Sequence, residues 1–463
     1  MEIGEAVKPP APEQQEEPVG DKKPVKVRCV LLYDGTGNNK TNTNSRLDDK
    51  EGHYERSKSF LSTIRGGNES YENWFTNIAS LDGYTEKEPA AGFDITVKVY
   101  TEGIGTRNND ADERLGLGTG TWIAGIKAKC IKGITEAVGR TLDSKYNGDD
   151  LNPDKHFFEQ LHFDVFGFSR GAAAARHAAY KLMLEEEKTI KDAMRLRGFE
   201  VREAKIRFIG LFDTVSSHGA NFNNDVDKLH LRAISEAEMV VQLAAADEYR
   251  KNFSLTNIKS ADTKGTEYFM PGAHSDIGGS YHDAYDEKKD PESAKENGNE
   301  TFVLYRGFPD EVKQDARQLV TEGWYRLSEH IQEIEYEEIY NDFGQPFQAH
   351  TKANRKKISN AYCRIPLKVM ADYAKKQKVP INHGKLEKDS NEIIDKYPEL
   401  TELSSNIYQY MTKEISQYNR CAPLLLKVRN RHLHMSAKES IGMGPRFEGK
   451  GPVRRRERGI IIG

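Results

Sequence analysis

The chain has 463 residues, with 68 Lys or Arg nearly balancing 72 Asp or Glu, which excludes the broad positive field that gathers nucleic acid. That length allows a large single-domain enzyme with insertions, or two domains. Cys29, Cys130, Cys363 and Cys421 are scattered, with neither zinc nor disulfide-framework spacing, and no run approaches a signal peptide's apolar centre or the ~18 apolar residues of a membrane span.

Residues 1–24 are rich in Pro, Glu, Gln and Ala, cannot bury enough apolar surface to offset the entropy of ordering, and read as a flexible tail. From Val25 the texture changes to the strand-like run VKVRCVLLY, which stops at Asp34-Gly35-Thr36-Gly37-Asn38-Asn39, a cluster of turn formers. Four more apolar runs follow: Ile95 to Tyr100, Leu161 to Phe168, Ile206 to Phe212 and Thr266 to Met270. Between them, Trp122 to Leu142 and Ala172 to Glu187 carry apolar residues at three- and four-residue spacing, as crossover helices do. Strands alternating with helices predict an α/β fold with a doubly wound, mainly parallel sheet. After about Tyr285 charge rises, and stretches 309–340 and 364–377 read as helices packed on that sheet. The expected organisation is therefore a tail over 1–24, a catalytic core over 25–285, a mostly helical region over 286–445 and a basic tail over 446–463. The last reads as a solvated terminus, with docking on an acidic surface as the alternative.

The strongest chemical signal is Gly167-Phe168-Ser169-Arg170-Gly171, directly after a strand and directly before the helix AAAARHAAYKLML. Gly-x-Ser-x-Gly between strand and helix is a nucleophile elbow, whose flanking glycines leave room for a strained turn that lifts the serine hydroxyl above the sheet edge. The same residues could merely build a tight turn, but the flanking strand and helix favour the chemical reading.

A serine hydroxyl needs a base within hydrogen-bond reach and a third group to hold that base in the right tautomer. In this arrangement the acid and the histidine follow the serine, each at the carboxyl end of a later strand. Asp213 closes the strand IRFIGLF, and His274 follows the strand TEYFM in the loop Pro271 to Gly279. Asp276, two residues from His274, competes for the acid role. His177 lies within a helix, and His218 and His282 lie in polar loops. The oxyanion donors expected are the Arg170 amide and, from the loop after the first strand, the Gly35 or Thr36 amide.

Two weaker signals remain. The glycine-rich stretch Gly103 to Gly120 lacks the spacing of a phosphate-binding loop and reads as a loop at the site mouth. The oxygen side chains of Asp34 to Asn39 suggest calcium, yet the spacing of an EF-hand is absent. No cofactor or metal is expected, with calcium the one alternative.

Asp34-Gly35-Thr36-Gly37-Asn38, Tyr100 to Thr106, Gly167 to Ala172, Leu211 to Val215 and Pro271 to Gly279 together resemble the α/β-hydrolase domain family that supplies the Tle-type phospholipase effectors of the bacterial type VI secretion system. The likeness runs from about Val27 to Tyr281, and Ala246 to Arg250 and Arg364 to Leu367 also fit it. It implies an A-type phospholipase acting on a neighbouring bacterium's membrane, with catalytic residues Ser169, Asp213 and His274. It also implies an immunity protein, a secreted spike protein as carrier, and a chain that is cytoplasmic in its producer and delivered without a signal peptide to the target's periplasm. Competing readings are a soluble carboxylesterase with the same triad, and a catalytically silent hydrolase fold that serves as a binding module.

Overall fold

The computed structural model describes residues 22–59, 67–113, 125–216, 225–282, 298–440, 442–449 and 454–463. Six strands form the central sheet: β1 (Lys23–Tyr33), β2 (Ile95–Thr101), β3 (His156–Phe168), β4 (Val201–Phe212), β5 (Ala237–Ala245) and β6 (Gly265–Met270). Their order is β2-β1-β3-β4-β5-β6, and every neighbouring pair is parallel. This is the expected α/β-hydrolase-like, doubly wound sheet. β5 was not expected: its sequence, AEMVVQLAA, ends in alanines that carry little strand propensity, and burial on both faces gives it no alternation to read. Of the expected flexible tail, residues 1–21 lie outside the described residues, and β1 already begins at Lys23.

The chain leaves β1 outward to β2 and returns on the other side of β1 to form β3, so the winding direction reverses between β1 and β3. In such sheets the crevice at the carboxyl ends of the strands beside this reversal is where ligands bind. The two loops that emerge there are Asp34 to Asn39 and the serine elbow.

Two helices cover one face, α1 (Ile126–Leu142) and α2 (Arg170–Met183). They bury Ile126, Cys130, Val138 and the alanines 172–175, 178 and 179 against Cys29, Leu31, Phe163, Val165 and Ile209. Alanine permits the close helix-to-sheet approach here. The opposite face carries Val30, Leu32, Phe166, Phe208 and Val241, which pack with the region after residue 298.

That region departs from its expected helical character. It holds α3 (Pro309–Thr321), α4 (Arg364–Lys376), α5 (His383–Ile394), α6 (Pro398–Tyr410) and α7 (Pro423–His432). It also holds an antiparallel sheet of β7 (Val303–Gly307), β8 (Ile334–Tyr340) and β9 (Pro346–Ala353) in the order β7-β9-β8. The stretch 309–340 therefore splits into one helix and one strand. The helix stops at Gly323, whose φ of 77° suits a residue without a side chain. In β8, Ile334 is buried while Glu335 and Glu337 are exposed, a two-residue period that its helix-favouring glutamates disguise.

The basic tail is also corrected. Residues 454–463 pack on the core: Ile460 and Ile461 pair in parallel with Leu255 and Thr256, and Arg456 and Arg458 are 2% and 3% exposed.

On the face toward the later helices, Arg28 of β1 donates to both oxygens of Asp164 on β3 at 2.7 and 2.9 Å, and to the Gln377 carbonyl at the end of α4 at 2.9 Å. Both partners are buried. Asp164→Ala should leave the guanidinium charge uncompensated in the interior and cost about 3–5 kcal/mol, read as a lower urea midpoint with an unchanged slope.

Candidate active site

Ser169 joins β3 to α2 with φ 58° and ψ −128°, a conformation that costs a non-glycine residue of order 1–3 kcal/mol and is held only where neighbours over-determine it. Its neighbours do so. The Ser169 amide donates to the Phe212 carbonyl at 3.0 Å, and its carbonyl accepts from Ala172 at 3.0 Å and Val215 at 3.3 Å. A Cβ on Gly167 would lie 2.5 Å from Ala172 Cα, and one on Gly171 would lie 2.2 Å from the Asp34 carbonyl oxygen. The two glycines are therefore required by close approach of α2 to β3 and to the end of β1.

Asp213 follows β4 immediately, also in the left-handed region at φ 44°. Its side chain is fully buried. Oδ1 accepts from the Ala245 amide at 2.9 Å, and Oδ2 receives His274 Nδ1 at 2.5 Å. His274 opens a short helical turn, His274–Gly278, after β6. With Nδ1–H given to a carboxylate, Nε2 carries the lone pair and is the basic atom. The imidazole packs between the Phe168 ring, 4.6 Å away between centroids, and the edge of Phe253 at 5.3 Å. Burial pushes the His274 pKa down and outweighs the opposing pull of Asp213, with Arg250 adding to the depression. The free imidazole is thus neutral near neutral pH, as a general base must be.

Asp276 faces elsewhere. Its Oδ1 meets His434 Nδ1 at 2.8 Å, and its Oδ2 accepts the His434 amide at 3.0 Å and the Ala273 amide at 2.9 Å. Of the two candidate acids, Asp213 is the one bonded to His274. His177 bonds the Leu229 carbonyl at 2.8 Å, and His282 bonds the Glu72 carbonyl. His218 lies outside the described residues.

Arg170 is the first residue of α2, where helix amides have no intrahelical acceptor. The loop after β1 differs from expectation in one atom: the Gly35 amide donates to Asp34 Oδ1 at 2.7 Å. The same carboxylate accepts from Thr76 Oγ1 at 2.7 Å and from the Tyr100 hydroxyl at 2.6 Å. Burial raises the Asp34 pKa to about 6 against these three donors. Asn39 Oδ1 caps the following helix by accepting from Thr41 and Asn42. Of the oxygens that suggested calcium, those of Asp34 and Asn39 face protein N–H and O–H donors, whereas Thr36 Oγ1 and Asn38 Oδ1 have no hydrogen-bond partner among the described residues. Among the described residues, no group of three or more His, Cys, Asp or Glu could hold a metal ion.

Gly103 presses against this loop, since a Cβ there would lie 1.8 Å from the Gly35 carbonyl oxygen. The Gly103 amide donates to the Asn38 carbonyl at 2.8 Å and the Gly37 amide to Ile104 at 3.1 Å. Of the glycine-rich stretch, residues 114–124 lie outside the described residues. Phe168, the residue before the serine, touches both flanking loops: a Cβ on Gly35 would lie 2.5 Å from its Cδ1, and one on Gly278 would lie 2.0 Å from its Cε2.

Three residues beside Asp213 and His274 were not assigned from sequence. Glu248 Oε2 accepts the His274 amide at 3.3 Å and Arg250 Nη2 at 2.8 Å. Burial alone would raise this carboxyl, but Arg250, with Arg458 and His274 behind it, holds it at about 2. Arg458 Nη2 donates to both oxygens of Asp213, at 2.9 and 3.0 Å. Glu248 and Arg250 lie in a motif already visible in the sequence, whereas Arg458 is hidden in the charge run RRRER.

The comparisons bear on this geometry directly. Residues 183–297 match the family model "T6SS, Phospholipase effector Tle1-like, catalytic domain". The matched segment carries Asp213, Glu248, Arg250 and His274, while the serine elbow precedes it. A solved structure of the Tle1 effector bound to the VgrG spike from the Type 6 secretion system superposes with a TM-score of 0.58 at 24% identity, over 90% of this chain and 85% of that one. At that identity the likeness speaks for a shared fold. A crystal structure of an uncharacterized protein from Pseudomonas aeruginosa aligns at 16% identity and TM-score 0.46, over 88% of this chain and 53% of the other. No curated protein matches the sequence.

The two aspartates are separable by experiment. Asp213→Asn should lower turnover by ~10⁴ by favouring the wrong histidine tautomer. Asp276→Asn should cost less than ~10-fold in turnover while lowering the melting temperature, since it weakens a buried hydrogen-bond set worth about 1–3 kcal/mol. The reverse ranking would move the acid role to Asp276.

Proposed function

We propose that this chain is a serine-dependent phospholipase of the Tle1-like kind, cleaving acyl esters of membrane glycerophospholipids. The observation that carries the reading is the Asp213–His274 pair set beside a strained serine elbow, at the carboxyl edge of a parallel sheet. The match of residues 183–297 to the Tle1-like catalytic domain favours a phospholipid over other esters.

In this reading His274 Nε2 removes the proton from Ser169 Oγ as the oxygen attacks the acyl carbonyl. The oxyanion that forms is held by the Arg170 amide and by the Thr36 amide, because the Gly35 amide is already given to Asp34. The imidazolium, stabilised by Asp213, protonates the departing glycerol oxygen and releases a lysophospholipid. Water activated by the same histidine then frees the fatty acid and restores Ser169.

The Tle1 structure contains a VgrG spike. We extend this to the present chain as a proposal: a spike protein carries it out of a producer cytoplasm into the periplasm of a neighbouring bacterium, and an immunity protein protects kin.

Two experiments test the reading. Ser169→Ala should lower hydrolysis of phospholipid vesicles by up to ~10⁶ in turnover while leaving the circular dichroism spectrum unchanged. Residual activity within tenfold of wild type would refute it. Fused to a cleavable signal peptide in a bacterium without an immunity protein, the wild type should permeabilise cells and generate lysophospholipid, and Ser169→Ala should not. Hydrolysis of short soluble esters with intact membrane lipids would instead assign a carboxylesterase.

A further inference from the structure

The segment Arg454–Gly463 returns to the catalytic edge from the far end of the sequence, and its two buried arginines are used differently. Arg456 is held by many partners: Asp315 at 2.8 and 2.7 Å, the Leu304 carbonyl at 3.5 Å and Met435 Sδ at 3.5 Å. It is a clamp between this segment and α3. Arg458 contacts Asp213 through one nitrogen, at 2.9 and 3.0 Å, both side chains being fully buried. Among the described residues its Nε and Nη1 have no hydrogen-bond partner. Its hydrogen bonds go to the Asp213 carboxylate alone, and its charge also acts on the buried Glu248 carboxylate.

Anchors on either side set its position. Upstream stands the Arg456 clamp. Downstream, the Leu255 amide donates to the Gly459 carbonyl at 2.8 Å and the Asn257 amide to the Ile461 carbonyl at 3.0 Å. The strand it joins is bound in turn to the residue after Asp213, as the Thr256 amide donates to the Thr214 carbonyl at 2.9 Å. Arg458 is therefore delivered to Asp213 by backbone that is already fixed to the loop bearing Asp213.

We propose that Arg458 is a positioning residue of the catalytic triad, fixing the Asp213 carboxylate against His274 and offsetting its charge, so that the resting base stays neutral. This rests on the reading of Ser169, His274 and Asp213 as a triad. The charged groups acting on His274 are Asp213 after β4 and Glu248 and Arg250 after β5, and Arg458 from the returning segment joins the set through Asp213 and Glu248. Asp276, on the same turn as His274, is turned to His434. Two carboxylates and two guanidiniums balance when the imidazole is neutral. Without Arg458 the set carries a net negative charge, which the low-dielectric interior relieves by protonating His274. The base would then titrate at a higher pH, and the carboxylate would lose one of its three fixed donors.

Arg458→Met should therefore lower kcat roughly 10- to 100-fold with KM little changed, and raise the acid limb of kcat/KM by about one pH unit. In the wild type this limb should lie below 6.5, the ordinary histidine value from which His274 is depressed. Arg458→Lys, which keeps the charge, should return the limb to its wild-type position. Arg458→Gln, neutral but able to bond Asp213, gives the same limb shift should the methionine variant not fold. His274 titration followed by ¹⁵N NMR in a Ser169→Ala background reads the shift without turnover. An unmoved limb and an unmoved NMR titration in folded Arg458→Met or Arg458→Gln would overturn the proposal, leaving Arg458 a structural residue. Absence of phospholipid hydrolysis in the wild type would sink the functional reading alone, because the NMR titration still decides this one.

Discussion

A carboxylate with no exposed surface must be paired, and that constraint organises the sheet edge that bears Asp213 and His274. Asp213 and Glu248 are both buried completely. Removing one such charge from water without compensation costs several kcal/mol, so the chain supplies Arg250 from two residues beyond Glu248 and Arg458 from 245 residues beyond Asp213. The first solution is local and comes with the motif. The second obliges a distant segment to fold across the molecule, and the ladder of Ile460 and Ile461 on Leu255 and Thr256 is what holds it there. The bonds that seat the segment also bring Arg458 to Asp213.

The reading of the sequence agrees with the structure on where these residues stand. Ser169 and Asp213 directly follow apolar strands, His274 stands shortly after one, and the structure joins Asp213 to His274. The reading failed where solvation and propensity mislead. RRRER has the composition of a solvated tail, and only the distant partners Asp315 and Asp213 make its burial tolerable. The glutamates of β8 favour a helix locally, but the strand alternates and pairs with β9 on tertiary grounds. Asp276 sits nearer His274 in sequence than Asp213 does, yet a residue two positions along a helical turn points away from its neighbour, toward His434. The Gly35 amide looked available because a side chain folding back on the next amide leaves no trace in residue type.

The loops after β1 and β2 act as one body. Gly103 fits where any side chain would strike the Gly35 carbonyl, and the exchange of amides between Gly103, Asn38, Gly37 and Ile104 ties the two turns together. Asp34 anchors that body through Thr76 and Tyr100, each contributed by a different element. An oxyanion donor must be stationary before charge develops, because reorganisation during the reaction would consume the benefit. Three donors converging on one buried carboxyl meet that requirement.

Phe168 gives the elbow motif a heritable consequence. In Gly-x-Ser-x-Gly the x positions are nominally free, but the ring at 168 fills the space that side chains at 35 and 278 would occupy, and it packs at a tilt against the His274 imidazole. A smaller residue there would leave the donor loop and the base loop without a common wall; a larger one has no room. Substitution at 168 is therefore not an independent event, since each acceptable change must be matched by the glycines on both sides of it. Positions 35, 168 and 278 therefore form one packing unit: a side chain gained at either glycine has room only if the ring at 168 gives it up.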